Sequence, residues 1–246
     1  MGFDFNAAIR ARPGGMTRAD LVNFYGDPLA GSTPGSRRGT FEPGAAFRQN
    51  IVSIPISELP GFPAYADPSV KVTRITLHRK IEPIFRATWA VLHDAGLADR
   101  LRTYDGATTY RHMLWNPSNP ISLHAYGAAI DFDARWNGYG ISRSQMQIDR
   151  EVIEVFERCG WTWGGRWNPS DGMHLQWTDP VGGERSPVQD ALAKEVPQKP
   201  TPAPASATPM LLVPDGKGGW VNMAGKKVEG QFSVINATDP LRVWAR

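Results

Sequence analysis

The sequence predicts an α+β fold: one main domain of mixed helices and strands, followed on a proline-rich tether by a small β module. Three observations carry this. Between Asn50 and Val196, strand-like and helix-like patterns are interspersed without a regular strand–helix–strand rhythm. Residues 197–209, PQKPTPAPASATP, hold five prolines in thirteen positions, a composition that forms no core and stays extended. Beyond it, short apolar runs alternate with the turn pairs Asp215-Gly216, Gly218-Gly219 and Ala224-Gly225, the pattern of two or three hairpins.

Taken in order, residues 1–49 are rich in Gly, Pro and Arg and read as an extension packing on the main domain, with one short helix capped by Thr17. The main domain spans 50–196. NIVSIPI and VKVTRITLH are β-branched and partly alternating, hence strands. Ile81, Ile84, Phe85, Trp89 and Leu92 recur at helical spacing, with Pro83 tolerated in the first turn and Gly96 as the stop. Arg100–Tyr104 and Ala129–Asp133 are expected as strands. Ser144–Cys159 is expected as a second helix, with Ile148, Val152 and Phe156 on one face, and MHLQW as a last strand. Residues 210–246 form the small β module. Its size is marginal for independent stability, so it is expected to need a partner surface or oligomerisation.

Of the 246 residues, 41% are hydrophobic, enough for one sizeable core. No apolar run reaches the ~18–20 residues of a membrane span. MGFDFNAAIRARPGG lacks the apolar stretch of a secretory signal, and Asn6 stands where a myristoylation motif wants Ser or Thr. The expectation is therefore synthesis in the cytoplasm without a signal peptide. A net charge of +3 suits an anionic partner, but the basic residues are scattered, which argues against nucleic-acid recognition. One cysteine, Cys159, excludes an internal disulfide and a multi-thiolate zinc site, and reads as apolar filler near a helix end.

The chemistry points to two histidines of five. His78 and His93 read as surface or boundary residues, and His112, in a polar turn, is ambiguous. His124 sits in SLHAYGAAIDFD, seven residues before Asp131, with Gly127 and two alanines allowing a tight turn between them. Asp131 and Asp133 are expected on one strand face, Ile130 and Phe132 on the other. In WGGRWNPSDGMHLQW, His174 projects opposite Met173, Leu175 and Trp177, and Asp171 precedes it in a glycine-containing turn. Two imidazoles and one carboxylate are a donor set for catalytic zinc, and a carboxylate beside the ion is what a general base requires. Spacing alone equally accommodates ordinary buried, hydrogen-bonded histidines.

Ser122-x-His124-x-x-Gly127-x-Ala129-x-Asp131, followed by Asp171-x-x-His174, resembles the LAS metallopeptidases. These are the D-Ala-D-Ala carboxypeptidases and L-Ala-D-Glu endopeptidases of peptidoglycan, whose fold also occurs in hedgehog signalling domains. The resemblance is closest to the phage endolysin-like branch and spans about Asn50 to Asp179. It implies Zn2+ held by His124, Asp131 and His174, Asp171 as base, and Arg111 as a residue that contacts substrate and steadies the oxyanion. Asp171 stands where many relatives have Glu, and fits the phage-type endopeptidases better. Gln176 replaces an acidic residue often found two positions after the last histidine, which predicts a weaker contact behind the ligands. Tyr126, Trp136, Tyr139, Trp161, Trp163 and Trp167 flank both motifs, mostly as core; Ser122, Tyr126 and Trp163 are the residues expected to meet substrate.

The resulting expectation is a bacteriolytic, zinc-dependent peptidoglycan hydrolase that cuts stem peptides at L-Ala-D-Glu, an endolysin released through a holin to act on the cell wall, with the tethered β module contacting cell wall or a partner. The alternatives are a D-Ala-D-Ala carboxypeptidase, a zinc-containing wall-binding domain without hydrolysis, and a virion component.

Overall fold

The computed structural model describes residues 3–178 and four short strands further along the chain. The chain divides into two compact units, Met1–Val196 and Pro197–Arg246. The tether expected at 197–209 lies outside the described residues.

The first unit opens with helices α1 (Phe5–Arg10) and α2 (Arg18–Tyr25), a two-stranded ladder β1 (Thr33–Pro34) and β2 (Phe41–Glu42), and a single turn α3 (Ala45–Arg48). Thr17 caps α2 as expected, its hydroxyl accepting from the Asp20 N–H at 3.2 Å. The extension is anchored through Tyr25. Its hydroxyl donates to the Trp177 carbonyl, and its own carbonyl lies 3.0 Å from His78 Nε2. Strands β3 (Ile51–Pro55) and β4 (Arg74–His78) pair antiparallel, Ile51 opposite His78.

Helix α4 (Glu82–Asp94) follows, then β5 (Tyr104–Gly106), β6 (Ala129–Phe132), the turn α5 (Ala134–Asn137), α6 (Arg150–Arg158), β7 (Thr162–Trp163) and β8 (His174–Gln176). β5, β6, β8 and β7 form, in that order, an antiparallel sheet. α4 and α6 supply an aromatic core to one of its faces: Phe132 of β6 packs on Trp89 and Phe156, both with centroids 6.1 Å away. Each such ring buried contributes roughly 1.5–3 kcal/mol. Strand alternation then turns Asp131 to the opposite face.

Three expectations shift. Arg100–Tyr104 is not a strand throughout: Ala98–Arg100 is a 3-10 turn and β5 begins at Tyr104. The second helix starts at Arg150 rather than Ser144, because Asn137 Oδ1 takes the Gln147 and Ile148 N–H groups at 2.7 and 2.9 Å and Asp149 caps the helix. β6 ends at Phe132, and Asp133 leaves the strand at φ 55°, so it does not share a face with Asp131. Its Oδ1 instead accepts the Arg102 and Thr103 N–H groups, each at 2.8 Å.

In the second unit, β9 (Leu212–Pro214) pairs antiparallel with β10 (Trp220–Asn222), and β11 (Phe232–Val234) with β12 (Val243–Ala245).

Candidate metal centre and active site

β6 and β8 run antiparallel with Asp131 directly opposite His174, which places both side chains on the same sheet face. His124 arrives from a 3-10 turn, Leu123–Tyr126, capped at its start by the Ser122 hydroxyl and closed by Gly127 at φ 66°. Gly127 is required there. A Cβ would lie 2.7 Å from the His78 amide nitrogen, and the left-handed conformation disfavours other residues.

The three side chains converge. His124 Nε2 lies 3.2 Å from both His174 Nδ1 and Asp131 Oδ2, and His174 Nδ1 lies 3.0 Å from Asp131 Oδ1. All three residues are buried, and their ligand atoms lie within 4.8 Å of one another. Zinc bound to imidazole nitrogen at about 2.0–2.1 Å in a tetrahedron sets neighbouring ligand atoms about 3.3 Å apart, close to these separations.

The outer ring nitrogens decide the tautomers. His124 Nδ1 faces the Ala107 carbonyl at 2.6 Å, which only accepts, so Nδ1 carries the proton and the Nε2 lone pair faces inward. His174 Nε2 faces Gln176 Oε1 at 3.0 Å. The Gln176 amide is turned that way because its Nε2 donates to Thr178 Oγ1 at 2.7 Å. The His174 Nδ1 lone pair therefore also faces inward. Two lone pairs and a carboxylate aimed at one point repel one another unless a cation lies among them, so the donor set fits a divalent metal. The contact expected to be weak at Gln176 is made by a neutral amide.

Electrostatics separate the two carboxylates of the site. Burial works to raise the Asp131 carboxyl, but His124 and His174 outweigh it and hold it well below the usual range. Asp171 behaves oppositely: burial, with Asp131 adding to it, pushes its carboxyl above the ordinary value despite His174, His124 and Arg111 nearby. Its Oδ1 is buried without a hydrogen-bond partner among the described residues. Gly164 lets the Asp171 turn approach, since a Cβ there would meet the Asp171 carbonyl at 2.6 Å. Arg111 feels both carboxylates, while burial lowers its pKa.

Other expected residues are placed differently. Tyr126 and Trp163 are 1% and 2% exposed. Tyr126 packs against Tyr25 and Phe47, and the Trp163 indole donates to the Gly172 carbonyl. Both belong to the core and offer no face to a substrate. Ser122 is buried and serves the His124 turn. His78, expected at a surface or boundary, is 2% exposed. His112 hydrogen-bonds the Asn119 carbonyl at 2.7 Å, and His93 lies exposed beside Asp94. Cys159 is buried, its thiol pushed up to about 11 by that burial, consistent with filler. The Ala107 carbonyl leaves no side-chain signal in the sequence; Trp167, 5.5 Å from the His174 ring, stands among the flanking aromatics there.

Residues 116–177 match the model of a peptidase family described as D-alanyl-D-alanine carboxypeptidase. The matched stretch contains His124, Asp131, Asp171 and His174, and ends short of Arg111 on its N-terminal side. No curated protein and no solved structure matches the chain. Among the described residues, no helix is long and apolar enough to cross a membrane.

Proposed function

We propose that the chain is a zinc-dependent peptidase of peptidoglycan stem peptides, with His124, Asp131 and His174 as metal ligands, Asp171 as general base and Arg111 facing the oxyanion. The observation that carries it is the inward convergence of two imidazole lone pairs and one carboxylate within 4.8 Å, inside the stretch that matches the peptidase family. When bound, zinc supplies Lewis acidity and acidifies water. Asp171 takes the proton of the attacking water at its carboxylate and passes it to the leaving amine. The Arg111 guanidinium supplies positive charge where the carbonyl oxygen becomes anionic. Ser122 and Gly127 hold His124 in place, and Gln176 and the Ala107 carbonyl keep both rings in the ligating tautomer.

The bond proposed is L-Ala-D-Glu, supported by Asp171 in place of the Glu of many relatives, in the setting of an endolysin. Terminal D-Ala-D-Ala is a second reading, favoured by the description of the matching family. Mass spectrometry of digested peptidoglycan distinguishes them by the new termini.

Activity should vanish with a chelator and return with zinc. Asp171→Asn should keep zinc and lose ~10²- to 10⁴-fold in rate. Asp131→Asn should lose zinc affinity first. If Asp171→Asn loses its zinc while Asp131→Asn retains it, the two roles are exchanged. A wild-type chain that binds zinc and cleaves nothing would make this a binding domain.

A further inference from the structure

Arg111 is continued by a turn with unusual features. Met113–Trp115 forms a 3-10 turn in which Leu114 and Trp115 stand at φ 52° and 56°. Two successive non-glycine residues in the left-handed region are strained, and such strain persists only where the surroundings impose it. Here they do. The Met113 N–H donates to the Pro120 carbonyl at 2.9 Å, Asn119 Nδ2 to the Met113 carbonyl at 3.0 Å, and the His112 N–H to the Gly39 carbonyl at 2.8 Å. Gly39 has room only for hydrogen, since a Cβ would meet the Trp115 carbonyl oxygen at 2.2 Å.

This rigid turn exposes its side chains to solvent: Trp115 is 45% and Leu114 64% exposed. The Trp115 indole has one cationic neighbour among the described residues, the Arg111 guanidinium, whose carbon lies 5.1 Å from the ring centroid. Among the described residues Arg111 makes no ion pair; its hydrogen bond is a long one, 3.5 Å to the His112 carbonyl. The Arg111 carbonyl accepts the N–H of Ser122, the cap of the His124 turn, at 3.1 Å, which puts Arg111 beside the site, and a half-buried guanidinium there without an ion pair among the described residues needs another support to hold its direction.

We infer that Trp115 is a positioning residue, whose indole holds the Arg111 guanidinium beside the His124–Asp131–His174 site with its N–H edge turned to an anionic oxygen of the substrate. The inference rests on the peptidase reading of that site. It accounts for the strain: releasing the turn would move the indole off Arg111. A cation–π contact of this kind is worth about 2- to 30-fold in an equilibrium or rate.

The experiment measures kcat/KM on a soluble muropeptide together with zinc content and Tm. Trp115→Asn tolerates the left-handed backbone and removes the ring, and Trp115→Leu keeps apolar bulk without a π face. Both should lose about 2- to 30-fold with zinc content and Tm retained, and Trp115→Tyr should recover most of the loss. Leu114→Asn, one residue away and turned to solvent, should cleave like wild type. The decisive arm is the double variant. If Trp115 acts through Arg111, Arg111→Ala and Arg111→Ala/Trp115→Leu should be equally active. Additive losses, or Trp115→Leu at wild-type kcat/KM, overturn the positioning role while the peptidase reading stands. A wild type that cleaves no muropeptide overturns that reading and this inference with it.

Discussion

At the residue scale, the two ring nitrogens of His174 share one proton between two demands. The Nε2–H donates to Gln176 Oε1, leaving Nδ1 free to ligate. Gln176 is itself 1% exposed, and its orientation is set by Thr178 Oγ1. Gln176→Leu therefore leaves the His174 tautomer undetermined, and zinc affinity by chelator competition should fall ~10- to 100-fold. Gln176→Glu restores an acceptor and should recover affinity. Equal affinity in wild type and Gln176→Leu would show that the contact orients nothing. The convergence of His124, Asp131 and His174 is legible in sequence because donor type and local spacing both survive in one dimension. The tautomers are not, because they depend on a backbone carbonyl, Ala107, and on an amide orientation fixed from Thr178. Tyr126 and Trp163 mislead for the related reason that aromatics beside a motif serve packing and binding with the same composition.

At the scale of elements, β4 and α2 are joined by a neutral histidine. His78 Nε2–H donates to the Tyr25 carbonyl at the end of α2, and its Nδ1 accepts the Lys80 N–H at 3.1 Å. Protonating Nδ1 would turn that acceptor into a donor facing a donor. Burial, the main cause, with Lys80 and Arg79 adding to it, lowers the His78 pKa to about 4. The folded value lies below the unfolded ~6.5, so this stabilisation is complete above about pH 6.5 and is lost as pH falls towards 4. It amounts to at most about 3 kcal/mol. Urea midpoints at pH 7.5 and 4.5 should therefore separate more for wild type than for His78→Gln; equal separations would rule the histidine out as the acid-sensitive joint. The strands β3 and β4 and the helices α2 and α4 are legible from alternation, capping and helical spacing. The ends of α6 and β6 are not, because side chains distant in sequence set them: Asn137 withholds two N–H groups from the helix, and Asp133 turns aside to cap residues 102 and 103.

At the scale of the molecule, the α+β character follows from interspersed patterns, whereas the sheet order β5-β6-β8-β7 does not, since pairings across long intervals leave no local trace. The division of labour along the chain bears on function. Every residue assigned to the site, and the aromatic core behind it, lies within the compact unit Met1–Val196, and Tyr25, Phe47 and Trp177 tie the N-terminal extension into that unit. The hairpins β9–β10 and β11–β12 belong to the other unit, Pro197–Arg246. A chain ending after Val196 should accordingly fold cooperatively, bind zinc like the full-length protein and cleave small muropeptides at an undiminished rate. If the hairpin unit contacts cell wall, as its expected role requires, the truncated chain should also bind sedimented walls more weakly and clear intact ones more slowly, because tethering raises the local concentration of the catalytic unit at its substrate. Pull-down on purified walls alongside muropeptide kinetics separates the two contributions. Equal wall binding by both chains would remove the binding role from the hairpins, and a truncated chain that is insoluble or zinc-free would place them in the folding of the catalytic unit instead.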